Sequence, residues 1–313
     1  MKTLIVDGHN SAWRLAKKMP VLTTAKEEPI QVVYGFLRLL RKALVQFDPQ
    51  AALICWDSGR SVERLKIFPE YKANRNHFRT PAERAEYESV HKQMGILQGL
   101  LKLLNISQVS YPNTEGDDLI GIACQALGGK KVILSSDQDM LHLVSEKVEV
   151  WSPHKEELYT ALNFHHKIGM TPRQWLEYRA LVGDHGDNIP GVAKGFGEQT
   201  AKDIMALYGS LEKLYCGNAK IEKRICARGN RYSLLYSEGA KERVYRNLLL
   251  MDLMLPSARP GTSRIIEVVK KAASKHSAVN RVALREYFVE NSFNTLLKVM
   301  PKWILPFENL DVK

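Results

Sequence analysis

The chain has 313 residues, 45% of them hydrophobic, and a formal net charge of +11. This length allows one large domain or two smaller ones with a sizeable core, and it contains no apolar stretch long enough to cross a membrane. Because a predicted strand begins at Leu4, we expect that the chain has no signal peptide. Its four cysteines lack zinc-site spacing, so we expect them to be reduced thiols in a cytoplasmic protein.

The net charge is unevenly distributed along the chain. Residues 1–215 carry 27 basic against 25 acidic side chains, whereas residues 216–313 carry 18 against 9. An acidic region joined to a basic one suggests a polyanion that one part holds and the other part cuts with metal ions. A basic surface that only aids solubility explains the same charge distribution equally well.

Hydrophobic periodicity predicts an α/β body followed by a helical region. In chain order we predict a strand at 3–6, a helix at 31–46, a strand at 51–56, a basic and mostly helical stretch at 61–104, a strand at 108–111, a helix at 115–127, strands at 131–135 and 148–151, and only helices from 172 onward. Short β-branched runs alternating with helices are typical of a mostly parallel central sheet with flanking helices. We therefore divide the chain into an α/β core at 1–160 and a helical region at 161–313.

Three of the predicted strands end in an aspartate, namely Asp7, Asp57 and Asp137. Ligands of open α/β sheets bind beyond the carboxyl ends of the strands, so these side chains should converge at one edge. Six further carboxylates follow strand ends or flank helices: Glu115, Asp117, Asp118, Asp139, Asp184 and Asp187. Nine clustered carboxylates would repel one another unless cations neutralise them, and oxygen ligands suit Mg2+ or Mn2+. A single aspartate after a strand could equally be a helix N-cap or a turn residue.

The stretch from Arg60 to Lys92 mixes positive charge with aromatic residues, a composition that can hold single-stranded nucleic acid. Five glutamates reduce its net charge to +3, so a solvated pair of helices with internal ion pairs is the alternative. Its basic residues are Arg60, Arg64, Lys66, Lys72, Arg75, Arg79, Arg84 and Lys92, and its aromatic residues are Phe68, Tyr71, Phe78 and Tyr87.

A glycine-rich segment at 183–197 separates predicted helices at 172–182 and 198–207. Glycines let backbone amides approach a phosphate, and the following helix N-terminus favours an anion. An ordinary helix–helix turn also uses glycine. The presence of Asp184 and Asp187 in the segment favours a loop that joins a metal site to a phosphate contact.

In combination, these motifs resemble the 5'-nucleases, also called flap endonucleases, which include stand-alone phage and bacterial 5'-3' exonucleases and the N-terminal domains of bacterial DNA polymerase I. The resemblance is strongest over residues 2–210. The segments that carry it are Ile5–Asn10, Trp56–Ser58, Tyr71–Arg75, Glu115–Asp118, Ser136–Leu141, Gly183–Gly197 and Leu248–Leu253. The resemblance implies a PIN-like 5'-nuclease core, a helical arch at about 60–100, and a helix-three-turn-helix at about 172–207.

The resemblance also implies a ligand set for two Mg2+ ions, with Mn2+ able to substitute. The first ion would be held, in part through water, by Asp7, Asp57, Glu115, Asp117, Asp118 and Asp137. The second would be held by Asp139, Asp184 and Asp187, with Asp117 or Asp137 shared between the two ions. A K+ ion bound by loop carbonyls is a further candidate, although Gly191–Gly197 is one residue longer than the usual family loop.

Roles toward the substrate follow from the same resemblance. Lys72 and Arg14 would contact the scissile phosphate, with Lys17 and Lys18 as competitors of Arg14 and a plain surface lysine as the alternative for Lys72. Tyr71 would stack on a terminal base, although an aromatic residue here could equally pack on the sheet. His9, beside Asp7, could be a general base, but a packing or hydrogen-bonding role is the more common one for a strand-end histidine. DNA contacts are expected from Arg75, Gly191, Lys194, Gly195 and Gly197.

The function implied is that of a structure-specific 5'-nuclease of replication or repair, acting as 5'-3' exonuclease and flap endonuclease by a two-metal mechanism. Its partners would be DNA with 5' flaps or with frayed or free 5' ends, and RNA primers as secondary substrates. We expect a stand-alone monomer in the cytoplasm, or in the host cytoplasm for a viral protein. The alternatives are a non-catalytic DNA-junction binding protein of the same fold and a related nuclease acting mainly on RNA.

Overall fold

The computed structural model describes residues 1–76, 80–256, 262–275 and 277–310. Phe78 and Arg79 of the predicted arch lie outside these ranges. No helix within the described ranges is both long and apolar enough to span a lipid bilayer.

Six strands form one sheet in the order β3-β2-β1-β4-β5-β6. Strands β1 to β5 are all parallel to one another, and β6 pairs antiparallel with β5. This confirms the predicted mostly parallel sheet. The strands are β1 Lys2–Asp7, β2 Ala51–Cys55, β3 Ser107–Val109, β4 Lys130–Leu134, β5 Val148–Ser152 and β6 Glu157–Tyr159.

Helices cover both faces of the sheet, which explains why its central strands are apolar throughout. Leu4 and Val6 of β1 contribute to the core on one face, and Ile5 contributes to the core on the other. All three side chains are at most 1% exposed. Burial on both faces makes β1 the centre of the molecule and brings its carboxyl end, at Asp7, to the middle of the sheet edge.

The described chain also forms sixteen α-helices. Their bounds are α1 Gly8–Lys18, α2 Gln31–Phe47, α3 Val62–Ile67, α4 Pro81–Leu103, α5 Gly116–Ala126, α6 Phe164–Ile168, α7 Pro172–Val182, α8 Glu198–Tyr208, α9 Leu211–Leu214, α10 Ala219–Cys226, α11 Asn230–Ser233, α12 Ala240–Met251, α13 Ser263–Ala273, α14 Arg281–Glu290, α15 Asn294–Trp303 and α16 Leu305–Glu308. Short 3-10 helices lie at Ala73–Asn76, Gln138–Leu143 and Leu234–Tyr236. The helices predicted at 31–46, 115–127, 172–182 and 198–207 are all present.

Helix α1 begins directly after β1, and the sequence analysis did not predict it. Asp7 is its N-cap, because the Asp7 side chain accepts a hydrogen bond from the backbone N–H of Asn10. The turn requires glycine at position 8, where a Cβ would lie 2.5 Å from the Trp56 ring. The same tight turn holds the Asp7 carboxylate at the sheet edge.

Helices α7 and α8 flank the glycine-rich segment as predicted. A capping box between Thr171 and Gln174, with Pro172 at the first turn, begins α7. The helix ends at Gly183, whose φ of 81° lies in the left-handed region that favours glycine. This stop directs the chain toward Asp184 at the sheet edge.

The last helices pack back on the α/β body. Val269 and Ala273 of α13 join the core on the α5 face, while Phe288, Trp303 and Phe307 of α14–α16 join the core beside α2 and α4. Residues between 168 and 248 form a separate core. The helices after residue 262 therefore pack against the α/β core that we assigned to residues 1–160. For residues 161–262, the predicted boundary between the α/β core and the helical region stays a prediction.

Candidate active site

A cavity of about 570 Å³ opens at the carboxyl edge of the sheet. Asp7, Asp57 and Asp137, which follow or end three neighbouring strands, meet there with Asp117 from the first turn of α5. The predicted convergence of distant aspartates is thus present in the structure. Six of the nine predicted ligands line the cavity, namely Asp7, Asp57, Asp117, Asp137, Asp184 and Asp187.

The first four of these carboxylates have no basic partner: in the described part of the chain, no lysine or arginine lies within 4 Å of them. Burial, and then repulsion from Asp57, raises the pKa of Asp7 to about 7. Burial and repulsion from Asp7 hold the pKa of Asp117 well above its usual value. Ser135 Oγ, 2.8 Å from Asp7 Oδ2, offsets only part of this cost.

The donor set fits a hard divalent cation, because these four side chains offer carboxylate oxygens whose repulsion such an ion would relieve. Within the described ranges, however, no three His, Cys, Asp or Glu side chains form a group that could already hold a metal ion.

The raised pKa of Asp7 predicts how the metal-free protein responds to pH. A carboxyl whose folded-state pKa lies above its unfolded value stabilises the fold at low pH, and this contribution is lost as pH rises from about 4 to about 7. We expect the stability of wild type relative to Asp7→Asn to fall across this window in urea unfolding with EDTA. A difference that is constant or rises with pH would contradict the prediction.

Glu115 and Asp118 do not line the cavity; Arg64 holds both of them. Its guanidinium lies 2.8 Å from Glu115 Oε2 and 2.7 Å from Asp118 Oδ1, and its Nε donates to the backbone oxygen of Leu250. Arg64 is 2% exposed, so the expectation that it faces nucleic acid is wrong. It joins α3, at the base of the predicted arch, to the first turn of α5 and the last turn of α12.

We predict that Arg64→Met destabilises the protein by about 3–5 kcal/mol, because it removes the guanidinium that two buried carboxylates share. Urea unfolding measures the loss. Lys66→Met is the matched control, since Lys66 belongs to the same helix and its pair with Glu63 is exposed. Equal stability of the two variants would show that Arg64 is not the ionic anchor of this junction.

Arg179 binds a second pair of predicted ligands. Its Nε donates to Asp139 Oδ1 at 2.9 Å, and its Nη2 donates to Asp184 Oδ2 at 2.7 Å. Burial would lower the pKa of Arg179, but Asp139 and Asp184 outweigh it and hold the pKa above its usual value. Asp187, the third predicted ligand of the second ion, pairs with Arg75, which also donates to the backbone oxygen of Gly186.

Lys72 lines the cavity although it is only 8% exposed. Its Nζ lies 3.0 Å from Glu115 Oε2 and 3.7 Å from Asp187 Oδ2. Burial would lower the pKa of Lys72, but these two carboxylates outweigh it and raise the pKa. The ammonium is therefore charged and held at the rim of the acidic site.

Tyr71 is 2% exposed, and its hydroxyl donates to Glu115 Oε2 at 2.8 Å. The ring packs with Leu176, Ile189 and Leu250, so the prediction that a terminal base stacks on it does not match this arrangement. The sequence allowed a packing role for Tyr71 but could not identify its partners, because they lie more than 100 residues away along the chain.

Helix α1 supplies the basic wall of the cavity. Arg14, Lys17 and Lys18 line it, and Arg14 donates to the backbone oxygen of Ser136. His9 also lines the cavity, where its Nδ1 accepts the backbone N–H of Asp57 at 3.0 Å. This contact matches the hydrogen-bonding role considered for His9 in the sequence analysis.

The DNA-contact residues predicted at 191–197 of the glycine-rich segment lie apart from the cavity lining. Lys194, Gly195 and Gly197 are exposed, and Gly197 is the N-cap of α8 without a side-chain capping bond. Gly191 packs against the end of α7, where a Cβ would lie 2.4 Å from the Val182 oxygen. The loop thus presents an exposed lysine close to the N-terminus of α8, an end of a helix that favours anions.

Two side chains contribute to the site in ways that the sequence motifs did not predict: Arg179 by its ion pairs and Ser135 by its hydrogen bond to Asp7. Arg179 stands among Tyr178, Ala180 and Leu181, which are all buried. A single basic residue on a buried stretch of helix, just before Gly183 and Asp184, was a signal for an internal ion pair.

Residues 2–169 match the family model described as 5'-3' exonuclease, N-terminal resolvase-like domain. Residues 170–257 match the model described as 5'-3' exonuclease, C-terminal SAM fold. The chain therefore belongs to the 5'-3' exonuclease family.

Relatives and solved structures agree with this assignment. The thermostable DNA polymerase I of Thermus filiformis is 33% identical over 95% of this chain, and the chain spans 33% of that polymerase. The 5'-3' exonuclease of Aquifex aeolicus is 35% identical over 68% of this chain and 72% of its own length. The chain thus spans about a third of the length of the polymerase.

The fold is that of bacteriophage T5 D15 flap endonuclease, solved as a pseudo-enzyme-product complex with DNA and metal ions. That similarity has a TM-score of 0.70 at 21% identity and covers 88% of this chain and 100% of the phage protein. Flap endonuclease-1 from Methanococcus jannaschii is similar with a TM-score of 0.56 at 14% identity, over 99% of this chain and 92% of its own.

Proposed function

We propose that this chain is a divalent-metal-dependent 5'-nuclease that hydrolyses DNA phosphodiesters at 5' flaps and at frayed or free 5' ends. The observation that supports it best is the cavity with one acidic and one basic wall. Asp7, Asp57, Asp117 and Asp137 face it without a lysine or arginine partner among the described residues, and Arg14, Lys17 and Lys18 line the same space. One wall suits a cation and the other suits a phosphate.

The unpaired carboxylates Asp7, Asp57, Asp117 and Asp137 would hold the first ion, and Asp139, Asp184 and Asp187 would hold the second. Mg2+ or Mn2+ bound there supplies Lewis-acid activation of water and neutralises charge on the phosphate. Glu115 and Asp118 would act through Arg64 by fixing the first turn of α5. A K+ ion at the carbonyls of Gly191–Gly197 would belong to the DNA contact.

The basic side chains would bind and orient the phosphate. Lys72 is fixed between Glu115 and Asp187, so its ammonium reaches the cavity from a constant position. Arg14 is held by the Ser136 oxygen on the opposite side. Preorganised charge of this kind stabilises developing negative charge without reorganisation. Terminal nucleotides must unpair to reach the cavity, and this favours flaps and frayed ends.

The deciding experiment is cleavage of an end-labelled 5'-flap DNA in Mg2+ or in EDTA, with the fully paired duplex as substrate control. We expect a 5'-labelled product from the flap in Mg2+ and no product in EDTA. Binding without cleavage in Mg2+ and Mn2+ would support a non-catalytic junction protein instead. An RNA flap of the same sequence tests primers, and faster cleavage of RNA than of DNA would support the alternative RNA nuclease.

The exposed loop predicts a contact with the duplex beyond the flap. Lys194→Gln should reduce the slope of log affinity against log salt by about one unit on a flap with a long downstream duplex, because one phosphate contact is lost. Lys147→Gln is the control, since Lys147 precedes β5 at the opposite edge of the sheet. If Lys194→Gln weakens the affinity for a substrate without the downstream duplex to the same extent, then the loop does not contact the downstream duplex.

A further inference from the structure

The nine carboxylates at the sheet edge fall into groups of different charge balance. Four face the cavity without a lysine or arginine partner, whereas those proposed for the second ion are paired with arginine in the described structure. Arg179 alone contacts both Asp139 and Asp184, at 2.9 Å and 2.7 Å. The two proposed metal positions therefore start from different electrostatic states.

Arg179 is held in place from both sides. It lies in the last turn of α7, next to the stop at Gly183, and Asp184 follows five residues after it. Asp139 lies at the start of the 3-10 helix Gln138–Leu143, where its backbone N–H donates to Asp137 Oδ1. The three side chains are between 16% and 24% exposed, so water weakens these contacts less than it would at an open surface.

We propose that Arg179 is a resident counter-cation of the second carboxylate group, so that the two metal positions have unequal affinity. The first position, at Asp7, Asp57, Asp117 and Asp137, binds a divalent cation in the free protein. The second binds one only as the cation displaces the guanidinium from Asp139 and Asp184. This inference rests on the proposed nuclease function and adds to it an order of metal loading.

The physical reason is competition for the same oxygens. A tethered guanidinium occupies lone pairs that a metal ion would need, and its fork geometry makes two directed bonds at no translational cost. A divalent cation entering beside it also meets the positive charge of the guanidinium at short range. Neither effect applies to the first position, where the partners are uncharged groups such as Ser135 and the Asn10 amide.

The test is Mn2+ binding to the DNA-free protein. Calorimetry and the loss of the free-ion signal in electron paramagnetic resonance both measure this binding. For wild type we expect two classes of site that differ at least about tenfold in affinity. Arg179→Gln should tighten the weaker class at least about tenfold and change the stronger class by less than about threefold. Arg179→Lys, which keeps the charge, should retain the wild-type separation.

Arg173→Gln is the matched control, because Arg173 lies on the same helix with a 60% exposed side chain and pairs with Glu177 outside the cavity lining. It should leave both classes unchanged. An unchanged or weaker second class in Arg179→Gln would overturn the inference. Absence of any Mn2+ binding by wild type would instead defeat the proposed metal dependence, so the two failures are distinguishable.

A second measurement covers the case in which Arg179→Gln does not fold. In wild-type protein labelled with 15N at arginine, the Arg179 Nε–H signal, assigned with the Arg179→Lys variant, reports the bond to Asp139. In a titration with diamagnetic Mg2+, this signal should shift during the second binding step and stay in place during the first. A shift confined to the first step, or no shift in either, would contradict displacement of the guanidinium.

Discussion

Asp137→Asn should abolish cleavage of flap DNA, by about 10³-fold or more, while DNA binding stays the same or becomes tighter. The carboxylate sits in an acidic group that needs a cation, so its loss weakens metal binding; it also removes one negative charge that repels the phosphate. Asparagine keeps the oxygen that accepts the Asp139 backbone N–H, so the local turn can persist. Single-turnover cleavage and equilibrium binding of the same labelled flap measure the two effects.

The control is Glu149→Gln, which removes a carboxylate from β5 outside the cavity lining. It should cleave at the wild-type rate. Cleavage by Asp137→Asn at that same rate in Mg2+ would exclude Asp137 from the metal site and would question the whole ligand assignment.

Lys72→Ala should slow single-turnover cleavage by about 10²-fold or more and weaken binding far less. One contact among many phosphate contacts contributes little to affinity, whereas a fixed charge beside the reacting phosphate acts on the barrier. The backbone at Lys72 has a φ of 55°, a strained value for alanine as well as for lysine, so the substitution adds no new backbone cost.

Lys66→Ala separates this effect from a general loss of positive charge at the base of the arch, because Lys66 is 65% exposed and pairs only with Glu63 in the described structure. We expect near wild-type rates for it. If Lys72→Ala loses rate and affinity to the same extent, then Lys72 is a docking residue with no separate part in the chemistry.

Much of the fold could be predicted because its cause is local. The apolar runs that end at Asp7, Cys55 and Leu134 are removed from water only when both of their faces are buried. A parallel sheet with helices on each side meets this requirement. Helices α7 and α8 were predicted closely because Pro172, Gly183 and Gly197 mark their ends by backbone geometry alone.

Other features could not be read from the chain because they depend on distant partners. Strand β6 exists only as the edge partner of β5, and three residues carry too little periodicity to reveal it. Helices α14–α16 looked like part of the basic C-terminal region. They return to the α/β body because Phe288, Trp303 and Phe307 complete its core.

The sequence by itself determined the chemistry of the site. The order of strands and aspartates brings Asp7, Asp57 and Asp137 to one edge, since parallel strands end on the same side. Only the tertiary structure decided which carboxylates remain available there. Arg64 pairs with Glu115 and Asp118, which lie 51 and 54 residues away in sequence. Arg179 joins Asp139, 40 residues away, to Asp184, which follows it by five residues. Ion pairing depends on a few ångströms of separation in space, which sequence distance does not encode, so the division between paired and unpaired acids appears only once the helices have packed.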